Sequence, residues 1–247
     1  MVNDLKDRVA VITGAGGGLG KCLCTHFADL GIKIAAIDID SKNLKALEKD
    51  INKKGGDILI FSLDITDYDG IKTAIDQVVK KWSTIDVLIN NAAARILKSF
   101  DKLDKDDIDL MVDVTLKGTI YLTHLIAPVM IKAKSGYIFN MSSTAGLRAI
   151  NKDASIYSAS KFGINGFSEA ISKYLIDYNI HVINLCPGGI NTSMWEKCNY
   201  IFGNEKKKYL IEPTEVAELI EFILKKERKS TIFKNLTFFP VCEIESS

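Results

Sequence analysis

Val9-Ala10-Val11-Ile12-Thr13-Gly14-Ala15-Gly16-Gly17-Gly18-Leu19-Gly20 is the stretch on which the fold turns. Val9–Thr13 is an unbroken apolar run, as expected of a strand covered on both faces. A glycine-rich turn follows it. Beyond the turn Leu19, Leu23, Phe27 and Leu30 recur at three- and four-residue spacing, which predicts a helix over 18–30 that Gly31 stops. Such a turn lets backbone N–H groups approach phosphate oxygens, and the helix N-terminus adds partial positive charge. An ordinary tight strand-to-helix connection would use glycine too, so the turn needs support from the rest of the chain.

Outward from this unit, apolar runs alternate with helical stretches. The runs are Val9–Thr13, Ile34–Asp38, Ile58–Ser62, Val87–Asn90, Tyr137–Met141, His181–Cys186 and a late one at Thr231–Phe239. Helices are predicted over 18–30, 41–54, 67–82, 104–131, 155–178 and 213–227. This alternation predicts an α/β chain, Rossmann-like and doubly wound: a mostly parallel seven-stranded sheet with helices on both faces. No repeat, low-complexity tract or linker divides the 247 residues, so one domain over 1–247 is expected. The segment 187–212 lacks a clear period and reads as a lid or binding loop. Its Trp195, Tyr200, Phe202 and Tyr209 either line a ligand site or anchor the loop to the core.

Composition excludes several classes. The chain is 47% hydrophobic and 26% charged, which excludes disorder for most of it. Its 32 basic and 31 acidic side chains leave a net charge of +1, so no electrostatic case exists for a nucleic-acid partner. The basic runs Lys206–Lys208 and Lys225, Lys226, Arg228, Lys229 read as solvated surface. No apolar run reaches the ~18–20 residues of a membrane helix, and Met1–Arg8 is too charged for a signal peptide. The five cysteines, at 22, 24, 186, 198 and 242, form no metal-ligand cluster and read as reduced thiols of a cytoplasmic protein.

Two nucleotide motifs fail at the turn. The mononucleotide loop would need Gly at Ala15 and Ser or Thr at Cys22, and without that hydroxyl Mg²⁺ has no ligand. The spacing G-x-G-x-x-G fails because Leu19 stands where the third glycine would be. What stands is G-x-x-x-G-x-G at 14, 18 and 20. Asp38 lies eighteen residues past Gly20, at the end of the second predicted strand. An acid there can accept from adenosine ribose hydroxyls and repel a 2′-phosphate; it can also be a turn residue. No Arg follows it and Asp40 adds negative charge, so NAD(H) is expected over NADP(H).

In Ser155-Ile156-Tyr157-Ser158-Ala159-Ser160-Lys161 the phenol and the ammonium are at i and i+4 and share a helix face. A neighbouring ammonium lowers a phenol's pKa and suits it to proton transfer; solvated surface would show the same spacing. Ser142 and Ser143 close the preceding strand, where a hydroxyl could polarise a carbonyl or simply cap a turn. His26, His124 and His181 sit within predicted elements and read as structural; no nucleophile elbow exists.

Taken in order, these motifs resemble the short-chain dehydrogenase/reductase family from about Arg8 to about Thr192. Thr13–Gly20 resembles T-G-x-x-x-G-x-G, which implies that Gly14, Gly16, Gly18 and Leu19 cradle the dinucleotide. Asp64-Ile65-Thr66 resembles the adenine-holding D-[VI]-[TS], and Asn90-Asn91-Ala92-Ala93 resembles N-N-A-G. Pro187-Gly188-Gly189-Ile190-Asn191-Thr192 is similar to the P-G-x-[IV]-x-T that packs on nicotinamide. The resemblance implies hydride transfer between nicotinamide C4 and an alcohol or ketone carbon. Tyr157 would then be the general acid/base, Ser143 would hold the substrate oxygen, and Lys161 would bind the nicotinamide ribose and lower the phenol pKa. It also implies a homotetramer or homodimer, through helices such as 155–178 with Phe162, Phe167, Ile171 and Leu175.

Two departures stand out. Thr115, in Val112-Asp113-Val114-Thr115-Leu116-Lys117-Gly118, takes the place of the family's proton-relay asparagine. The C-terminal Thr231–Pro240 resembles a subgroup ending in a strand and proline rather than V-D-G-G. Thr115 and Ala93 leave a second reading, a dinucleotide-binding regulatory or scaffold protein. Arg95 and Arg148 are candidate anion ligands for a substrate carboxylate or phosphate.

Overall fold

The computed structural model describes residues 4–149, 151–198, 209–226 and 231–241. Seven strands, β1 (Val9–Thr13), β2 (Lys33–Asp38), β3 (Ile58–Ser62), β4 (Val87–Asn90), β5 (Gly136–Met141), β6 (Ile180–Pro187) and β7 (Asn235–Phe238), form one sheet. Their order is β3-β2-β1-β4-β5-β6-β7, and all six pairings are parallel. The order reverses between β1 and β4, which opens a crevice at the carboxyl ends of the strands.

Side-chain alternation along a strand divides the core into two layers. On β1, Ala10 and Ile12 pack with Leu23 and Phe27 of α1 (Gly18–Asp29), Leu44 and Leu47 of α2 (Ser41–Lys53), and Ile220 of α8 (Pro213–Lys225). Val9 and Val11 point to the other layer, with Ile71 and Val78 of α3 (Tyr68–Trp82) and Leu122 and Ile126 of α5 (Gly118–Ala133). Each of these side chains is fully buried, a gain of about 1.5–3 kcal/mol for each Val, Leu, Ile and Phe. Three of the helices begin where acids cap them. Asp40 accepts from the Lys42 and Asn43 N–H groups at α2, Asp67 from Gly70 at α3, and Asp104 from Asp107 at α4 (Lys105–Val112).

The predicted helix over 104–131 is α4 and α5 joined by a π-helical turn, Asp113–Lys117. By length and composition alone, Lys105–Ala133 would suffice to cross a membrane. In this fold Leu122, Ile126, Ala127 and Met130 of that run bury against the sheet. The predicted helix over 155–178 is α6 (Ser155–Leu175) followed by a 3-10 turn, Ile176–Tyr178. Leu175 and Ile171 of α6 pack into the core, while Phe162 is 47% exposed. The late run predicted over Thr231–Phe239 contributes only Asn235–Phe238 as strand, paired with Asn184–Pro187.

Cys24 is buried and its thiol is pushed far up by desolvation; Cys22 is half-buried, and Cys242 lies outside the described residues. Among the described residues no group of three His, Cys, Asp or Glu side chains could hold a metal. His26 pairs with Glu221 at 2.6 Å, His181 stacks on Tyr137 and His124 lies beside Tyr68, so each has a packing role.

Candidate active site

The end of β1 is tied to the end of β4 by one threonine and one asparagine. Thr13 Oγ1 accepts from the N–H groups of Asn91 (3.0 Å) and Ala92 (3.1 Å). Asn91 Nδ2 donates to the carbonyls of Thr13 (2.9 Å) and Gly14 (3.2 Å). Gly14 has φ of +65°, and a Cβ there would lie 2.9 Å from Asn91 Nδ2. At Gly20 a Cβ would lie 2.0 Å from the Gly14 carbonyl oxygen, so only glycine lets α1 start this close to β1. Gly17 caps α1 with no side-chain acceptor, which leaves first-turn N–H groups open to a ligand.

Asp38 closes the turn from β2. One of its oxygens accepts from Gly16 N–H and the other from Asp40 N–H, both at 2.9 Å. Asp64, past β3, accepts from Thr66 N–H at 2.8 Å. On the other side of the switch point, Ser143 follows β5 and Tyr157 and Lys161 lie one turn apart on α6. A cleft of about 520 Å³ runs between the two sides, of a size suited to a cofactor and a small ligand. Every residue expected to catalyse or to hold the dinucleotide lines this cleft except Thr115.

Thr115 lies behind the wall, fully buried in the π turn. Its hydroxyl accepts from Ala94 N–H (3.1 Å) and donates to the Ala94 carbonyl (3.3 Å), while Thr119 Oγ1 donates to the Thr115 carbonyl (2.9 Å). The side chain therefore fixes the loop after β4. A buried polar chain supports the same region: Asn90 Nδ2 donates to Asn140 Oδ1 (2.8 Å), and Asn140 Nδ2 donates to Ser168 Oγ (2.7 Å).

Electrostatics at the phenol differ from the sequence expectation. Tyr157 is buried, and desolvation raises its pKa; a hydrogen bond with Ser143 and the nearby Arg95 charge act in the lowering direction. Lys161 is not among the groups that lower it. Its Nζ donates to the Met141 carbonyl and lies 5.6 Å from the centre of the Tyr157 ring. Burial pushes Lys161 itself down to about 7, so near neutral pH it is charged only part of the time. Shared helix face brought the two side chains together, but burial and a backbone acceptor redirected the ammonium.

Sequence reading underweighted one cation. The Arg95 guanidinium carbon lies 5.1 Å from the centre of the Tyr157 ring and 4.4 Å from that of Trp195. Trp195, on the short helix α7 (Met194–Lys197), donates its indole N–H to the Ile190 carbonyl at 2.8 Å. Cys198 Sγ donates to the Arg95 carbonyl at 3.2 Å. Arg148, the other candidate anion ligand, is exposed beside Phe239 and does not line the cleft. Within 187–212, Trp195 lines the cleft and Tyr209 is exposed, while Tyr200, Phe202 and Lys206–Lys208 lie outside the described residues. Of the second basic run, Lys225 pairs with Glu221, and Arg228 and Lys229 lie outside the described residues.

The sequence pattern of the short chain dehydrogenase family matches residues 8–200. A 3-oxoacyl-[acyl-carrier-protein] reductase of Thermotoga maritima is 37% identical over 193 residues, 78% of this chain and 78% of that protein. A 7α-hydroxysteroid dehydrogenase solved with NADH and 7-oxo glycochenodeoxycholic acid is 25% identical, with a TM-score of 0.86 over 96% of each chain. A metagenomic short-chain oxidoreductase solved with NADP is 27% identical, with a TM-score of 0.82 over 97% of this chain and 99% of that one.

Proposed function

We propose, for a chain that belongs to the short-chain dehydrogenase family of oxidoreductases, the NAD(H)-dependent interconversion of a secondary alcohol and a ketone. The observation that carries this reading is convergence. Ser143, Tyr157 and Lys161 line the same cleft as the glycine turn and Asp38, although they come from opposite sides of the switch point. The cradle fits a dinucleotide. At Gly14 and Gly20 a side chain would collide with Asn91 or the turn itself, at Gly18 it would crowd Thr192, and α1 presents N–H groups there with no side-chain cap.

The bound dinucleotide would supply the hydride donor or acceptor. The chain's own residues handle the proton and the geometry. The Ser143 hydroxyl and the Tyr157 phenol hold one substrate oxygen, which fixes the attached carbon in the cleft. Tyr157 is kept as a phenol by burial, so it is poised to give its proton to the oxygen as a ketone is reduced. Lys161, with three N–H donors and only a backbone carbonyl as partner, has capacity left for ribose hydroxyls. Asp38 holds the turn through Gly16 and keeps a negative charge where a 2′-phosphate would sit, which supports NAD(H) over NADP(H).

The chain is taken to act as one unit over 1–247, with 187–212 as a lid, as a cytoplasmic homodimer or homotetramer that uses the exposed Phe162 face of α6. The test is Tyr157→Phe. Ketone reduction with NADH should fall by about 10²–10⁴-fold, with NADH affinity within about threefold of the unaltered chain. Undiminished turnover would refute the assignment. Tight NADH binding with no turnover of any ketone by the unaltered chain would favour the regulatory reading.

A further inference from the structure

The substrate end of the cleft holds a cation that no described residue pairs with a counter-charge. Arg95 follows β4 and lies against the Tyr157 and Trp195 rings, at 5.1 and 4.4 Å. Among the described residues its guanidinium makes no ion pair, and its buried Nε has no hydrogen-bond partner. A guanidinium carries five N–H donors in a fixed fork that matches a carboxylate, and leaving even one of them, here Nε, buried and unpaired is costly. The acids of the cleft, Asp38, Asp40 and Asp64, lie past β2 and β3, across the switch point. β2 and β4 are two strand spacings apart, roughly 10 Å, so these acids cannot serve Arg95.

The backbone that carries Arg95 is pinned from two directions. Thr115 bonds both backbone groups of Ala94, and Cys198 bonds the Arg95 carbonyl. A guanidinium that lies over aromatic rings keeps its N–H donors in its own plane, where a ligand can meet them. A preorganised, partly desolvated cation beside the reacting phenol is a device for recognising an anion.

We infer that Arg95 binds a substrate carboxylate placed one or two carbons from the reacting carbonyl, so that this enzyme acts on short 2- or 3-oxo acids and the matching hydroxy acids. The inference rests on the oxidoreductase reading above and goes beyond it by naming the substrate's charge. A carboxylate at that spacing puts two oxygens at the Arg95 fork while the ketone oxygen meets Ser143 and Tyr157. An ester or thioester of the same skeleton fits the cleft but brings no charge to pair.

The experiment compares kcat/KM with NADH for 3-oxobutyrate and its methyl ester, and for 2-oxobutyrate and its methyl ester, in the unaltered chain, Arg95→Leu and Arg95→Lys. At least one acid should be favoured over its own ester. Arg95→Leu should lower that acid-to-ester ratio by at least about 30-fold, and Arg95→Lys should restore part of it. The ratio is the readout because any shared effect of Arg95 on Tyr157 cancels within each variant. An ester preference in the unaltered chain, or a ratio unmoved by Arg95→Leu, overturns the inference. A second measurement needs no hydride transfer: calorimetric titration of butyrate into the protein–NADH complex should show saturable binding that Arg95→Leu abolishes. No binding to the unaltered chain overturns the carboxylate site. Butyrate binding without turnover of any ketone upholds the site and refutes the catalytic reading instead.

Discussion

Asp38→Asn removes one negative charge from the floor of the glycine turn while keeping the shape of the side chain. In the structure that carboxylate accepts from Gly16 and Asp40 N–H groups at 2.9 Å, so its position is fixed rather than averaged. A 2′-phosphate placed against it would bring like charges to about 4 Å, a repulsion of ~1 kcal/mol in water and ~4 kcal/mol at the effective dielectric of a protein surface. Asp38 is half-buried and Asp40 exposed, so the value lies between these limits. That range converts to a preference for NADH over NADPH of about 5- to 1000-fold, and Asp38→Asn should erase a like factor. The assay is the ratio of kcat/KM for NADH and NADPH with one ketone, backed by fluorescence titration of each dinucleotide. Raising salt from about 0.01 to 0.5 M should narrow the preference, because screening shortens the Debye length from about 30 Å to under 10 Å. The variant loses part of a charge-assisted contact to Gly16, about 1–3 kcal/mol, so its melting temperature is measured alongside. A folded Asp38→Asn chain with an unchanged ratio, or an unaltered chain that prefers NADPH, would refute the reasoning.

Lys161→Met should make the cofactor-free protein more stable and catalytically dead. A lysine held at about 7 when folded and near 10.5 when unfolded makes the unfolded chain the better proton binder between those values. Stability of the unaltered chain therefore rises with pH across that window, and the gain from Lys161→Met is largest at or below pH 7 and fades toward pH 10. The full cost of the shift is at most about 5 kcal/mol, offset by the bond to Met141. A gain of about 1–4 kcal/mol, or very roughly 2–10 °C in Tm, is expected by thermal scanning at several pH values; no pH dependence of that gain would sink the argument. Thr115→Val removes the hydroxyl that serves both backbone groups of Ala94. It should cost about 1–3 kcal/mol and raise ketone KM, with NADH affinity unchanged, whereas Thr115→Ser should behave like the unaltered chain. Equal behaviour of the two variants would show that the hydroxyl does not hold the loop.

What could be read in the chain beforehand was local in origin. Apolar runs marked β1 to β6 because strands buried on both faces have nothing polar to interleave, and the glycine turn with Asp38 fell within about 30 residues. The π turn at Asp113–Lys117 was invisible, since one extra residue in a helical turn leaves a 3.6-residue pattern almost unchanged over so short a span. Thr231–Lys234 read as strand from their neighbours, yet pairing begins only at Asn235, opposite Asn184. Tyr157 and Lys161 were legible as a pair, but the direction of the phenol's shift was not. It depends on how deeply the pair is buried and on Arg95, which lies 62 residues earlier in the chain. Contacts between Arg95, Trp195 and Cys198 join segments about 100 residues apart, and no spacing rule reaches that far.

The two ends of the cleft are electrically opposite, and the strand order accounts for it. The charged side chains that line the cleft are acidic past β2 and β3 (Asp38, Asp40 and Asp64) and basic past β4 and on α6 (Arg95 and Lys161), with the glycine turn at the reversal between them. Asp38 has N–H partners that satisfy its charge before any ligand arrives. Arg95 and Lys161 are less well met: among the described residues Arg95 Nε has no partner, and Lys161 donates to the Met141 carbonyl while burial lowers its pKa. A buried donor left unpaired costs the fold about 1–3 kcal/mol, a cost that a ligand supplying acceptors removes. Ligand-induced stabilisation should accordingly be non-additive. A carboxylate and NADH together should raise Tm by more than the sum of their separate effects, because each lends acceptors to a cation that the other's binding further desolvates. Strict additivity would mean that the unpaired donors are already met by water, and that the basic end of the cleft is tuned for solvent rather than for an acid.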